Sequence, residues 1–119
     1  MASPALPPNP LSPCKSAGNC YRESRAFDLA PDALFAEALQ ALRSLSGLTI
    51  GHAVEIERDA NLLRLHAPFK VFLFTDDLDL LVAPHKGGSV LHVRSASRVG
   101  RSDLGTNRRR VRALLDSLA

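Results

Sequence analysis

The 119-residue sequence predicts an α+β domain: an antiparallel four- to five-stranded meander sheet with N- and C-terminal helices packed on one face. Three observations carry it. Apolar residues recur at three- and four-residue spacing over 31–46. The period then drops to two between 49 and 95. A helical stripe returns over 103–118.

Residues 1–26 read as a leader ahead of a single α+β domain at 27–119. Five of the eight prolines lie there (Pro4, Pro7, Pro8, Pro10, Pro13), followed by the loop from Cys14 to Cys20. Prolines at this density hold a chain extended and leave it without a core of its own. The segment is therefore either disordered or laid over the folded body.

The first helix is expected at 31–46. Pro31 suits the first helical position, Asp32 complements the helix N-terminus and Gly47 suits the C-terminal stop. Leu34, Phe35, Ala38, Leu39, Leu42 and Leu45 form its buried face. Ile50, His52, Val54 and Ile56 then alternate with polar and small residues, and Asp59-Ala-Asn61 reads as a turn. Leu63, Leu65 and Ala67 continue the alternation as far as Pro68, where a bend is expected. Phe69 to Phe74 resumes the strand, Asp76-Asp77 is expected to turn the chain, and Leu78 to Val82 forms the next strand. Lys86-Gly-Gly88 signals a hairpin into a last strand, Ser89 to Ser95. Leu104, Val111, Leu114, Leu115 and Leu118 mark the closing helix, about 103–118.

Composition sets limits. Apolar residues make up 45% and charged residues 23%, as in soluble globular chains. No run approaches the ~20 apolar residues that span a bilayer. Met1-Ala-Ser-Pro lacks the basic and apolar regions of a secretory signal, so the cytoplasm is the default expectation for this form. With no Trp, one Tyr and five Phe, base-stacking platforms are scarce, which weighs against nucleic acid as a partner.

Charge is concentrated. Fifteen Lys and Arg face 12 Asp and Glu overall, but Arg94 to Arg112 holds seven arginines and one acid. Arginine recognises planar anions through two parallel hydrogen bonds, so this segment is the candidate site. On an ideal helical wheel Asn107 falls inside the apolar stripe and Arg108 at its edge, while Arg109 and Arg110 fall outside and should be exposed. A buried amide must find partners. Two arrangements follow. In one, Asn107, Arg98 and Asp103 form an internal network that fastens loop to sheet. In the other, Arg94, Arg98 and Arg108 converge on an anion, with Ser95, Ser97, Asp103 and Asn107 completing the pocket. Asp103 as an N-cap would compete with the anion for helix amides.

The stretch Arg94-Ser-Ala-Ser-Arg-Val-Gly-Arg-Ser-Asp-Leu-Gly-Thr-Asn-Arg resembles the signature of the Domain of Unknown Function 1499 family of bacteria and plastids. Pro13-Cys14 with Asn19-Cys20, and Phe74-Thr-Asp-Asp77, resemble two further family elements. The family's role is not established, and many members look like secreted, lipid-anchored or plastid proteins. The resemblance, with the cysteine pair, thus suggests an extracytoplasmic setting. This chain has Gly18 where the family usually has Pro before Asn-Cys.

Cys14 and Cys20 are open to three readings: a disulfide, thiols, or metal ligands. A disulfide would close a short loop worth about 2.4 kcal/mol in chain entropy. It would also let the loop dock near Arg94–Asn107, with the pinned leader forming one wall of the pocket. Metal would need two more ligands, and neither the spacing of the four histidines nor Asp76, Asp77 and Asp79 supplies a recognisable set. No cofactor motif, nucleophile elbow or zinc-protease motif is present, and Ser95, Ser97 and Ser102 have no identifiable base. These residues point away from an enzyme. They point to a small binding module with an arginine-lined polar pocket for an anionic small molecule or a carboxylate-bearing protein partner. The alternatives are a protein- or envelope-interaction protein, or a small enzyme of unknown reaction.

Overall fold

The period-two segment builds one antiparallel sheet of five strands in a computed structural model that describes residues 6–45, 55–59, 62–71, 74–100 and 102–118. The elements run β1 (Cys20–Phe27), α1 (Pro31–Arg43), β2 (Glu55–Arg58), β3 (Leu63–Val71), β4 (Phe74–His85), β5 (Gly88–Ser97) and α2 (Thr106–Asp116). Strand order is β1-β5-β4-β3-β2. Strands β2 to β5 are the expected meander. The difference is β1, which comes from the end of the leader, precedes the first helix and closes the far edge against β5. Its sequence, Cys-Tyr-Arg-Glu-Ser-Arg-Ala-Phe, has no clean apolar alternation, because β5 supplies its register.

Helix α1 begins with Pro31, whose missing N–H is one that a first helical residue has no use for. Asp32 in the first turn and Arg43 in the last complement the dipole. Leu34, Phe35, Ala38 and Leu42 are buried against the sheet. Each large side chain among them contributes about 1.5–3 kcal/mol. The expected alternation at 49–54, His52 included, lies outside the described residues.

Two expectations for the centre of the sheet are corrected. Strand β3 runs through Pro68 without a break, pairing it with Asp77 of β4. Nor does the chain turn at Asp76-Asp77. Val71 pairs with Phe74, and Asp76, Asp77 and Asp79 are strand residues, Asp76 on the core face and Asp77 and Asp79 on the other. Acidic pairs favour turns locally, but here β3 and β5 hold them in register from both sides. The hairpin at Lys86-Gly87 does form, with both residues at positive φ (47° and 81°), the geometry of a tight type I′ turn. Gly88 presses on the Phe27 carbonyl, where any Cβ would collide.

Parity assigns the two faces. Leu78, Leu80, Val82, Leu91 and Val93 pack with α1 and α2 in one core. The residues between them, among them Arg22, Asp79, His92 and Arg94, point to the other face. The leader crosses that second face. Arg22 donates to the carbonyls of Asn9 and Leu11, Arg94 donates to that of Ser12, and Leu11 is buried. The leader is therefore laid over the body.

Candidate functional site

Helix α2 begins at Thr106, three residues later than the periodicity suggests, and Asp103 is the reason. Its Oδ1 accepts the Gly105 N–H at 2.8 Å and its Oδ2 accepts the Asn107 N–H at 3.1 Å. The carboxylate thus takes the place of a cap from just outside the helix. Partial burial pushes the Asp103 carboxyl up, but hydrogen bonds from the Asn107 side chain and from backbone N–H groups outweigh it. The net result holds the carboxyl below the ordinary value of 3.8.

Asn107 is fully buried, as its wheel position requires. Its Nδ2 faces three acceptors: Asp103 Oδ2 (2.6 Å), Ser97 Oγ (3.0 Å) and the Asn19 carbonyl (3.1 Å). Its Oδ1 accepts from Ser95 Oγ (2.6 Å) and Arg110 Nη1 (2.9 Å). This environment fixes the amide's orientation, since a flipped amide would turn NH₂ toward a guanidinium.

Arg110 corrects an expectation. It lies outside the apolar stripe, yet its side chain is 7% exposed and pairs with the buried Asp76 at 2.9 Å. The guanidinium also stacks over Phe69, 4.6 Å from the ring centroid. A long side chain can reach back to the sheet from the flank of a helix, which wheel angles do not register. The signal that could have found its partner is parity. Once Asp76 is read as a strand residue, it shares the core-facing side with Leu78 and Leu80.

The predicted arginines do not converge. Arg94 lies on the leader-covered face and donates to Ser12. Arg98 forms a two-pronged pair with Asp77 at 2.8 and 2.9 Å, which raises its pKa further. Asp77 and Asp79 also clasp His66 of β3, at 3.1 and 3.0 Å from its two ring nitrogens. Arg112 pairs with Glu23, and Arg109 donates to Leu104 and Thr106. Arg101 lies outside the described residues. Ser95, Ser97, Asp103 and Asn107 do come together in an internal network, but Arg98, expected in it, binds Asp77 instead.

Sequence reading also missed Ser24 with His92, whose Oγ and Nδ1 are 2.6 Å apart beneath the leader. Burial, with His85 nearby, pushes His92 below its ordinary 6.5. The described residues hold no cluster of three or more potential metal ligands.

Cys14 and Cys20 stand at disulfide distance, with Cα atoms 5.5 Å apart. The loop between them docks where it was expected. The Gly18 carbonyl accepts from Asp103 N (2.8 Å), the Asn19 carbonyl accepts from Ser97 N (2.9 Å), and Asn19 Nδ2 donates to the Gly100 carbonyl (2.7 Å). The loop thereby walls a cleft of about 350 Å³, with Gly18, Cys20 and Tyr21 on one side and Ser102, Gly105 and Arg108 on the other. Arg108 lies over the Tyr21 ring, 5.7 Å from its centroid, and has no ion pair or hydrogen bond among the described residues. Within the basic segment it is the described arginine whose donors remain uncommitted.

No helix among the described residues is long and apolar enough to cross a membrane. No curated protein matches the sequence. Among solved structures, TTHA0849 from Thermus thermophilus is similar at 12% identity with a TM-score of 0.39, over 82% of this chain and 92% of its own. The family described as Protein of unknown function (DUF1499) matches residues 6–118, nearly the whole chain, and this protein belongs to it.

Proposed function

We propose that this protein is a small non-catalytic binding module, and that its ligand is an anionic small molecule or a carboxylate of a protein partner. The site is the cleft between the cystine loop and the start of α2. One observation carries the proposal: Arg108 lines that cleft with its guanidinium unpaired, while its neighbours are bound to carboxylates or carbonyls. A guanidinium backed by an aromatic ring presents its edge as a planar fork, the shape a carboxylate fills with two parallel hydrogen bonds. Ser102 adds a hydroxyl at the rim. Asp103 also lines the cleft, but its oxygens already accept three hydrogen bonds, which tempers its repulsion of an incoming anion.

Titration calorimetry with citrate and with inorganic phosphate tests this. The wild-type chain should bind at least one of them. Arg108→Gln should weaken binding tenfold or more, matching the about 1.5–3 kcal/mol of a hydrogen bond to a charged group. Arg108→Lys should recover part of it, because charge is kept and the fork is lost. Absence of binding to either anion, or wild-type affinity in Arg108→Gln, would refute the assignment.

A further inference from the structure

His92 of β5 is 2% exposed on the sheet face opposite both helices, the face that the leader crosses. Its Nδ1 meets the hydroxyl of Ser24 of β1, an uncharged partner. Cations surround the pair. Arg22 of β1 and Arg94 of β5 stand in the next row of the same face, and His85 lies further along β4. Directly across β4 stands the apolar Leu81, with Arg64 of β3 beyond it. Asp79 of β4, opposite Arg94, is turned to His66. The leader brings no charge of its own, since residues 6–13 read Leu-Pro-Pro-Asn-Pro-Leu-Ser-Pro. A proton on His92 would therefore set a third positive charge beside Arg22 and Arg94, buried beneath an uncharged cover. In keeping with this, burial and His85 push His92 below its ordinary 6.5.

The cover itself is lightly held. Residues 6–19 join no strand, so the sheet ladder does not fasten them. Residues 6–13 are held through side chains: Arg22 donates to the Asn9 and Leu11 carbonyls, Arg94 donates to that of Ser12, and Leu11 is buried. Against this hold, the docked leader buries Asn9 Nδ2 without an acceptor, and a buried donor left unmet is costly. Four prolines (Pro7, Pro8, Pro10, Pro13) keep the segment extended, and the Cys14–Cys20 bridge ties its end to the start of β1. Residues 6–13 can thus lift as one piece that pivots at Cys14.

We infer that the leader is an acid-released strap: protonation of His92 lifts residues 6–13 off the sheet and bares Arg22, His92 and Arg94 together. Lifting the strap returns the imidazolium to water, so the open state holds one proton more than the closed state. The ratio of open to closed should therefore rise as pH falls below 6.5, by at most about tenfold for each pH unit, the limit for one proton. The strap is distinct from the Arg108 cleft and does not depend on it.

Backbone ¹⁵N relaxation of the full chain in oxidising buffer, at about pH 7.5 and about pH 5, is the test. In the wild-type chain the amides of Asn9, Leu11 and Ser12 should be ordered at the higher pH and mobile at the lower one, while those of β4 and β5 stay ordered at both. His92→Gln keeps a hydrogen-bonding partner for Ser24 and takes up no proton, so its leader should stay ordered at both. Leu11→Ala supplies the reciprocal measurement. It loosens the strap without altering a charge, so the His92 ring should titrate closer to 6.5 than in the wild-type chain. A wild-type leader that is mobile at the higher pH or still ordered at the lower one would overturn the inference. So would a His92→Gln leader that loosens with acid, a His92 midpoint unmoved by Leu11→Ala, or loss of order throughout the sheet at the pH that frees the leader.

Discussion

Asn107 shows how one side chain can decide a local structure. All of its hydrogen-bonding capacity is used, by three acceptors on one side and two donors on the other. Asn107→Asp keeps the volume but sets a carboxylate against Asp103 and the Asn19 carbonyl. It should cost about 3 kcal/mol or more, read from urea unfolding. Arg110→Leu would leave Asp76 buried without its partner, and a loss of about 3–5 kcal/mol is expected. Two groups give the pH dependence its sign. His92 has a folded pKa below 6.5, so the unfolded chain takes up its proton first. Its contribution is complete above 6.5 and is lost as pH falls from there through the folded value. Asp103 is depressed from 3.8 and behaves the same way at lower pH. Stability followed against pH should therefore decline in the acid range, and His92→Gln should flatten the part that begins near 6.5. Burial of Asn107 was legible from helical periodicity alone. Burial of Arg110 was not, because its guanidinium lies far from the Cα that the wheel locates.

The cystine loop connects the leader to the segment that follows β5. Its two carbonyls accept the Ser97 and Asp103 N–H groups, and the Asn107 amide closes on Asn19 from the helix side. Opening the loop should loosen the start of α2. Cys14→Ser with Cys20→Ser should lower the melting temperature in oxidising buffer, with a loss of up to about 2.4 kcal/mol by loop entropy. An unchanged melting temperature would remove the loop's structural role. Helices were legible in the sequence because each buries one continuous stripe. Strand β1 was not, since its pairing comes from β5 and its residues are only partly buried. The turn expected at Asp76-Asp77 gives way to strand for a related reason. Asp76 and Asp77 have turn chemistry, but Asp76 finds a buried cation, Arg110 of α2, and Asp77 an exposed one, Arg98 just after β5. Long-range charge pairing overrode the local preference.

For the molecule as a whole, the sheet is covered twice, by two helices on one face and by the leader on the other. Leu11 anchors the second cover, and Leu11→Ala should cost about 2 kcal/mol in the same unfolding experiment. The sequence shows that seven arginines cluster within 94–112, and the stretch that resembles the family signature covers the same region. What neither could reveal is how the cluster divides. Arg94 holds the leader, Arg98 holds Asp77, Arg110 holds Asp76 and Arg112 holds Glu23. That division depends on which sheet face each residue meets, a property of register. We propose that these arginines serve the fold and leave Arg108 to meet an anion. Amide chemical-shift mapping during citrate titration separates the two roles. Shifts confined to Gly18, Ser102, Gly105 and Arg108, and lost in Arg108→Gln, are the predicted result; shifts centred on Arg94 or Arg98, and retained in that variant, would contradict it.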